Sequence, residues 1–592
     1  MDERPKSIWK KSLKGSNELW LLLIPFSLVF AVIYAGGDVP ASLKNYLGLP
    51  AYALLFSLFV TLLVLLAVKF FRWIFSWRNF KRFLFGCACA ATLIALFYAE
   101  ENWRGRHDWE RYKHEWEARG EKFDFADFVP PPVPADQNFA LTPIIFTSYG
   151  QMLTRDGRMI SPDKRDTNFV NRLKMDIARN DDWAMTHSTT NSIGDWQTTK
   201  TSDLKVWQNY YRALAAPTNE FPVAPQPQSP AADVMLALSK YDPVIEELRE
   251  ASKLPYSRFP LEYDKDDPAA ILLPHLAVLK QCSLALQLRA LAELQNGQTE
   301  KSFDDIKLSL RLADSIRTEP FIITHLVRMA ILQITLQPIW EGLAEHKWSD
   351  AQLAELNLEL SKLDFPADYA HSVRSERAYH GKIVDWIEQK RSRYWLLVDM
   401  INNNNQPNTM ENFLETTAFY LAPKGWFYQN EITIAQMEQQ WNLPLVDATN
   451  RIVSPKIVEH AGTALASSLR PTLFNFFARL LLPGLGNFAQ KTAYAQNAAD
   501  LARVAIALER YRLAHGGFPE SLEALAARFL EKIPHDIING ESLHYRRTGD
   551  GQYILYSVGW NETDDDGVVG LTSNGQSADN RKGDWVWRYP AK

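Results

Sequence analysis

Cysteine is almost missing from this chain, with three in 592 residues, at positions 87, 89 and 282. Cys87 and Cys89 stand two apart inside an apolar run, too close on a helix for ordinary disulfide geometry, and Cys282 stands alone. A disulfide framework is therefore excluded, and stability has to come from a hydrophobic core, which a soluble part this large can supply. Basic excess is missing too. Lys and Arg number 64 against 69 Asp and Glu, for a net charge of −5. That balance lacks the footprint of a general nucleic-acid binder, so no nucleic-acid partner is expected. Neither a Gly-rich phosphate loop nor a nucleophile elbow occurs. Beyond residue 100 long apolar runs are scarce. One of them, Phe321 to Trp340, carries His325, Arg328, Gln333 and Gln337, which suits a buried core helix better than a bilayer span.

What is present lies mostly at the start. Leu19–Ala35, Ala51–Val68 and Phe83–Tyr98 are apolar and sit at the short end of the roughly 17 to 25 residues that cross a hydrocarbon core. Flanking Trp20, Trp73, Phe80 and Tyr98 extend them into the interface. Arg4, Lys6, Lys10, Lys11 and Lys14 precede the first span, and Lys69, Arg72, Arg78, Lys81 and Arg82 lie between the second and third. The loop between the first and second holds only Lys44. Positive loops stay inside, so the expectation is a multi-pass protein of the inner (cytoplasmic) membrane. Its N-terminus would be cytoplasmic and its bulk periplasmic or otherwise extracytoplasmic. Two readings compete: a cleaved signal peptide for the first span, and a buried helix for the third, which would reverse the topology.

The expected layout is a cytoplasmic tail over 1–18 and a membrane region of three helices over 19–98. A juxtamembrane helix with a Pro-rich linker follows over 99–139, then a mixed, loop-rich region over 140–231. An α-helical domain covers 232–485, and an α+β domain covers 486–592. Trp109, Tyr112 and Trp116 fall at helical spacing, equally consistent with an amphipathic helix leaving the bilayer and with a packed core stripe. Asp156-Gly157 marks a turn, and Pro222 to Pro230 reads as a linker. From 232 the periodicity is helical. Asn296-Gly297 can end one helix, Thr299 offers an N-cap for the next, and Ser349 with Gln352 has capping-box spacing. Long amphipathic helices on short connections predict an irregular bundle or a short solenoid. Pro471 to Leu482 is too short to span and suits core packing.

Near residue 487 the character changes. A long helix carrying Ala495, Ala499, Ala502, Leu508 and Tyr511 ends at His515-Gly516-Gly517. The run Phe518-Pro519-Glu520-Ser521-Leu522 starts a shorter helix reaching Leu530, then come strands over 543–547 and 553–558 around Gly549-Asp550-Gly551, an acidic loop, and a last strand over 585–589. The stretch Ala507 to Pro519 resembles the helix-to-loop junction of the major pseudopilin of type II secretion. Pro534 to Tyr545, with Asp536 and Gly540, is similar to that family's loop into its first strand, and Tyr553 to Gly559 to its next strand. The likeness covers about a hundred residues. A pseudopilin leader and processing glycine are not found, since Gly15 is followed by Ser16, Asn17 and Glu18, so a polymerising pilus subunit is not expected. The whole layout also resembles large membrane-anchored proteins of Planctomycetes and Verrucomicrobia-type bacteria, a resemblance that brings no activity with it. The fold class expected is thus multidomain and mainly α: N-terminal transmembrane helices, an extracytoplasmic helical bundle or solenoid, and a pseudopilin-like α+β module.

Candidate chemistry is sparse. The resemblance implies calcium in the acidic loop Asn561 to Gly567, with Asp564 and Asp566 as ligands and Asp579 closing the site. Clustered carboxylates on a Gly-containing loop can supply such oxygens, and a solvated acidic loop is the alternative. His371, Glu376 and His380 share a helix, but His371 lies nine residues before His380, on another face for zinc. A salt-bridged surface pair of Glu376 and His380 is the expectation. No catalytic or cofactor-binding residue stands out. The function expected is non-enzymatic: an envelope protein acting through protein contacts, beside a secretion or pilus-like system, with the lipid bilayer and envelope or secretion-system proteins as partners. An extracytoplasmic hydrolase and a sensor or solute-binding receptor are the alternatives.

Overall fold

The computed structural model describes residues 57, 59–70, 77–146, 152–153, 159–160, 172–178, 193–218, 220–391, 419–468, 472, 474–481 and 485–590. The first expected span and the Asp156-Gly157 turn lie outside them. The chain divides into two compact units, Met1–Glu100 and Glu101–Lys592.

In the first unit, helix α1 (Phe59–Phe70) covers the later part of the second expected span. Helix α2 (Trp77–Glu117) contains the third and runs on through the expected juxtamembrane helix without a break. Three segments among the described residues are long and apolar enough to cross a membrane: Trp77–Glu117, Pro268–Gln295 and Ile322–Ala344. In the first, none of the most apolar 18-residue window is buried, against 39% and 61% in the other two. The last two therefore spend much of their apolar surface on the protein's own interior, and Phe321 to Trp340 is a core helix as expected.

The second unit is mostly helical. Its helices are α3 (Leu204–Thr218), α4 (Pro230–Leu238), α5 (Asp242–Ala251), α6 (Pro274–Gln295) and α7 (Thr299–Ser315). Next come α8 (Ile322–Ala344), α9 (Asp350–Ser361), α10 (Phe365–Gln389), α11 (Lys424–Met437), α12 (Pro455–Ser468), α13 (Phe476–Leu481) and α14 (Leu485–His515). Local sequence sets several of their ends. Gly297 takes φ +75°, and Gln298 donates back to the Glu293 carbonyl at 2.8 Å, closing α6. Thr299 is the first helical residue of α7 rather than its cap, because Gln298 holds that position without a side-chain bond. At Ser349 the reciprocal capping box with Gln352 forms as the spacing predicts.

Helix α14 is buried on nearly every side from Ala493 to Leu508. Its alanines let α8, α9 and α10 approach closely, and one core joins them to the C-terminal strands through Trp340, Tyr369, Trp585 and Trp587. That core runs across the expected boundary at 485/486. A second core lies among α3 to α8, and smaller clusters lie beside α10 and α11.

The strands are short and antiparallel. β1 (Met152–Leu153) pairs with β2 (Met159–Ile160). β3 (His544–Arg547), β4 (Tyr553–Ser557) and β7 (Trp585–Arg588) form a sheet of order β3-β4-β7, and β5 (Val569–Leu571) pairs with β6 (Ala578–Gly583). The helix expected to reach Leu530 shrinks to a single 3-10 turn, Leu522–Leu525. Ala527 sits at φ +66°, a left-handed conformation that no helix continues through.

Candidate functional site

The acidic loop is organised by a residue that sequence reasoning passed over. Asp584, 1% exposed, immediately precedes strand β7 and accepts the backbone N–H groups of Asp565 (3.1 Å) and Gly567 (2.7 Å). Asp564 accepts the Tyr556 hydroxyl at 3.1 Å and the Asp566 N–H at 3.0 Å, with His544 at 3.4 Å. Asp566 holds a left-handed φ of +61°. Asp579 is spent on Lys582 at 3.0 Å and on the Arg581 N–H. Among the described residues no three His, Cys, Asp or Glu side chains are grouped to hold a metal ion. Asp584→Ala is expected to cost about 1 to 3 kcal/mol, since the buried Gly567 N–H loses its acceptor. Urea unfolding followed by tryptophan fluorescence checks this, and an unchanged midpoint would refute Asp584 as the loop's organiser.

Asp536 has the same role ahead of β3. Fully buried, it accepts Ser557 Oγ at 2.9 Å, Val558 N at 3.0 Å and Ile538 N at 2.9 Å. Both aspartates are hubs of backbone order in the module, which a reading by residue type alone does not reveal.

The pair Glu376 and His380 on α10 is not a surface pair. His380 is 5% exposed, and its Nδ1 meets Glu438 Oε1 at 3.2 Å while its Nε2 stands 3.7 Å from Glu376 Oε1. With a carboxylate as acceptor, Nδ1 carries the proton and Nε2 faces Glu376. Burial alone would depress the imidazole, but the Glu438 bond and the two carboxylate charges outweigh it and raise its pKa. Glu438 opens a π-helical turn, Glu438–Asn442, after α11, a distortion that recurs at functional sites. Glu376 also accepts the Ile322 N–H at 3.2 Å, at the N-terminus of α8, where the helix dipole favours negative charge. His371 does not join; its ring packs on Phe128 at 5.9 Å.

Glu376 and His380 line a cleft of about 380 Å³ walled by Ile271, Leu273, Phe321, Ile323, Leu326 and Phe488, with Lys491 among its lining residues. A second cleft, about 400 Å³, lies between α10, α11 and the continuation of α2 after Glu101, and its lining includes Trp109, Lys113, Asp124, Lys382, Asp385 and Glu431. Asp385 and Glu431 are its two carboxylates on α10 and α11. Burial and then the Asp385 charge push Glu431 well above the usual carboxylate range. The aromatic stripe is settled here as packing: Trp109 and Tyr112 meet Phe123 at 5.6 and 6.1 Å.

Comparison of the chain with protein-family models, with curated proteins and with solved structures finds no match in any of the three.

Proposed function

We propose that this is a membrane-anchored, extracytoplasmic envelope protein that acts by protein contact rather than catalysis, beside a secretion or pilus-like machine. The anchor reading draws on α1 and α2, whose apolar faces are exposed. The inner-membrane, periplasmic orientation draws on the Lys/Arg bias. One observation carries the contact reading. The C-terminal helix and sheet share the core of the helical region, while Val568 (58% exposed) and Leu571 (44%) stay outside that core, beside the acidic loop. A rigid base with an apolar tip and a charged rim is the anatomy of a protein-docking surface. Calcium on Asp564 and Asp566 belongs to the same proposal, as the resemblance to pseudopilins implies.

A photo-crosslinking residue placed at 568 or 571 in native membranes is expected to trap secretion or pilus-like components. The same residue at exposed Leu358 on α9 serves as the control. No such adduct, or the same adducts from 358, would refute the contact reading. A hydrolase is the second reading, favoured by one geometry: an imidazole oriented by a buried carboxylate at the wall of a cleft.

A further inference from the structure

The cleft beside His380 has a division of chemistry that specifies a ligand. Its walls are aliphatic and aromatic, with Ile323 half exposed at 50%, and the neighbouring Leu272 is 77% exposed. Its charged groups are few, namely Glu376, His380 and Lys491. Two of the three are already matched, because His380 lies between two carboxylates and Glu376 also takes the α8 terminus. Lys491 is different. It is exposed and makes no ion pair among the described residues.

An apolar cleft with one unmatched cation fits a molecule that is apolar along its length and carries a single negative charge at one end. A phosphate monoester, with nearly two charges at neutral pH, would leave one uncompensated. From the placement of Lys491 against these walls we infer that the cleft binds a single-chain amphiphile ending in a carboxylate, of the fatty-acid class. The chain lies against Ile323, Leu326 and Phe488, and the carboxylate pairs with Lys491. His380 and Glu376 then form the polar edge that fixes the depth of the head. This inference goes beyond the docking role proposed above and does not depend on it.

The test uses the full chain in phosphatidylcholine nanodiscs and a photoreactive diazirine fatty acid, with labelled residues mapped by mass spectrometry. Labels are expected on residues 321–326 and 487–491, in addition to those on α1 and α2 from lipid-dissolved probe. Excess laurate is expected to remove the cleft labels, whereas lauryl alcohol leaves them. Lys491→Glu, a surface change that leaves the core intact, is expected to lower cleft labelling about tenfold, the equivalent of one lost ion pair, and Lys491→Arg to retain it. Leu326→Asp is expected to abolish it from the apolar side. Labelling confined to α1 and α2, equal competition by the alcohol, or indifference to Lys491→Glu would each overturn the inference. Stronger competition by an apolar peptide with a free C-terminal carboxylate than by laurate would overturn it as well, pointing to a peptide site.

Discussion

Glu431→Gln is expected to make the protein more stable than the parent at pH 8 while leaving the two alike near pH 4. Glu431 is 4% exposed, and burial together with the nearby Asp385 charge raises its folded pKa above the unfolded value of about 4.3. The sign follows from proton binding: the folded state holds a proton that the unfolded state has already released. The stabilisation is complete below the ordinary carboxylate range and is lost as pH rises towards and through the raised value. Across that window the slope is about 1.4 kcal/mol per pH unit for one proton. Lys113 opposes the shift, and Glu388 adds to it. Glutamine cannot ionise, so it escapes this loss. Urea midpoints of both proteins from pH 4 to pH 9 measure the effect. Parallel curves would show that the fold does not hold Glu431 in its protonated form.

Gly425→Ala is expected to destabilise the second unit by about 3 kcal/mol. A Cβ built on Gly425 would lie 1.9 Å from the Glu101 carbonyl oxygen, and one on Gly105 would lie 2.3 Å from the Gly425 oxygen. Both obstacles are backbone, so no rotamer relieves them. The close approach lets Gly425 N reach Asn102 Oδ1 and Trp426 Nε1 reach Glu101 Oε2, each at 3.0 Å. Separating the helices would therefore break these bonds along with the packing. Gly462, inside α12 with nothing within 4 Å of a Cβ, is the control. There alanine is expected to stabilise by about 1 kcal/mol, through helix propensity alone. Thermal melts of the two variants should move in opposite directions. A Gly425→Ala protein that melts with the parent would remove the glycine contact as the reason for the helix pairing.

Several features were legible from the chain alone because their causes are local. The apolar content of Phe83–Tyr98 marks a helix with unburied apolar surface wherever the chain goes afterwards, and α2 is that helix. The Ser349 capping box involves residues three apart, and Gly551 supplies the φ of +79° that the turn between β3 and β4 demands. By contrast, β5 is three residues long with Gly570 at its centre, and β6 is polar throughout from Asp579 to Lys582, so nothing in their pattern announced strands. The residue type of Asp584 was visible, but its place beneath the acidic loop was not, since it caps N–H groups 17 and 19 residues earlier.

Composition and short-range pattern were enough to determine the apolar start, the helical middle, the strand-rich end and the absence of a disulfide framework. Each of these depends on residues within about one or two turns of each other. Tertiary structure alone decided that Glu438 meets His380 across 58 positions, that Trp426 meets Glu101 across 325, and that α14 lies inside the helical core. Such meetings depend on which apolar faces pack together, and many pairings of amphipathic helices satisfy the same pattern until close-packing selects one.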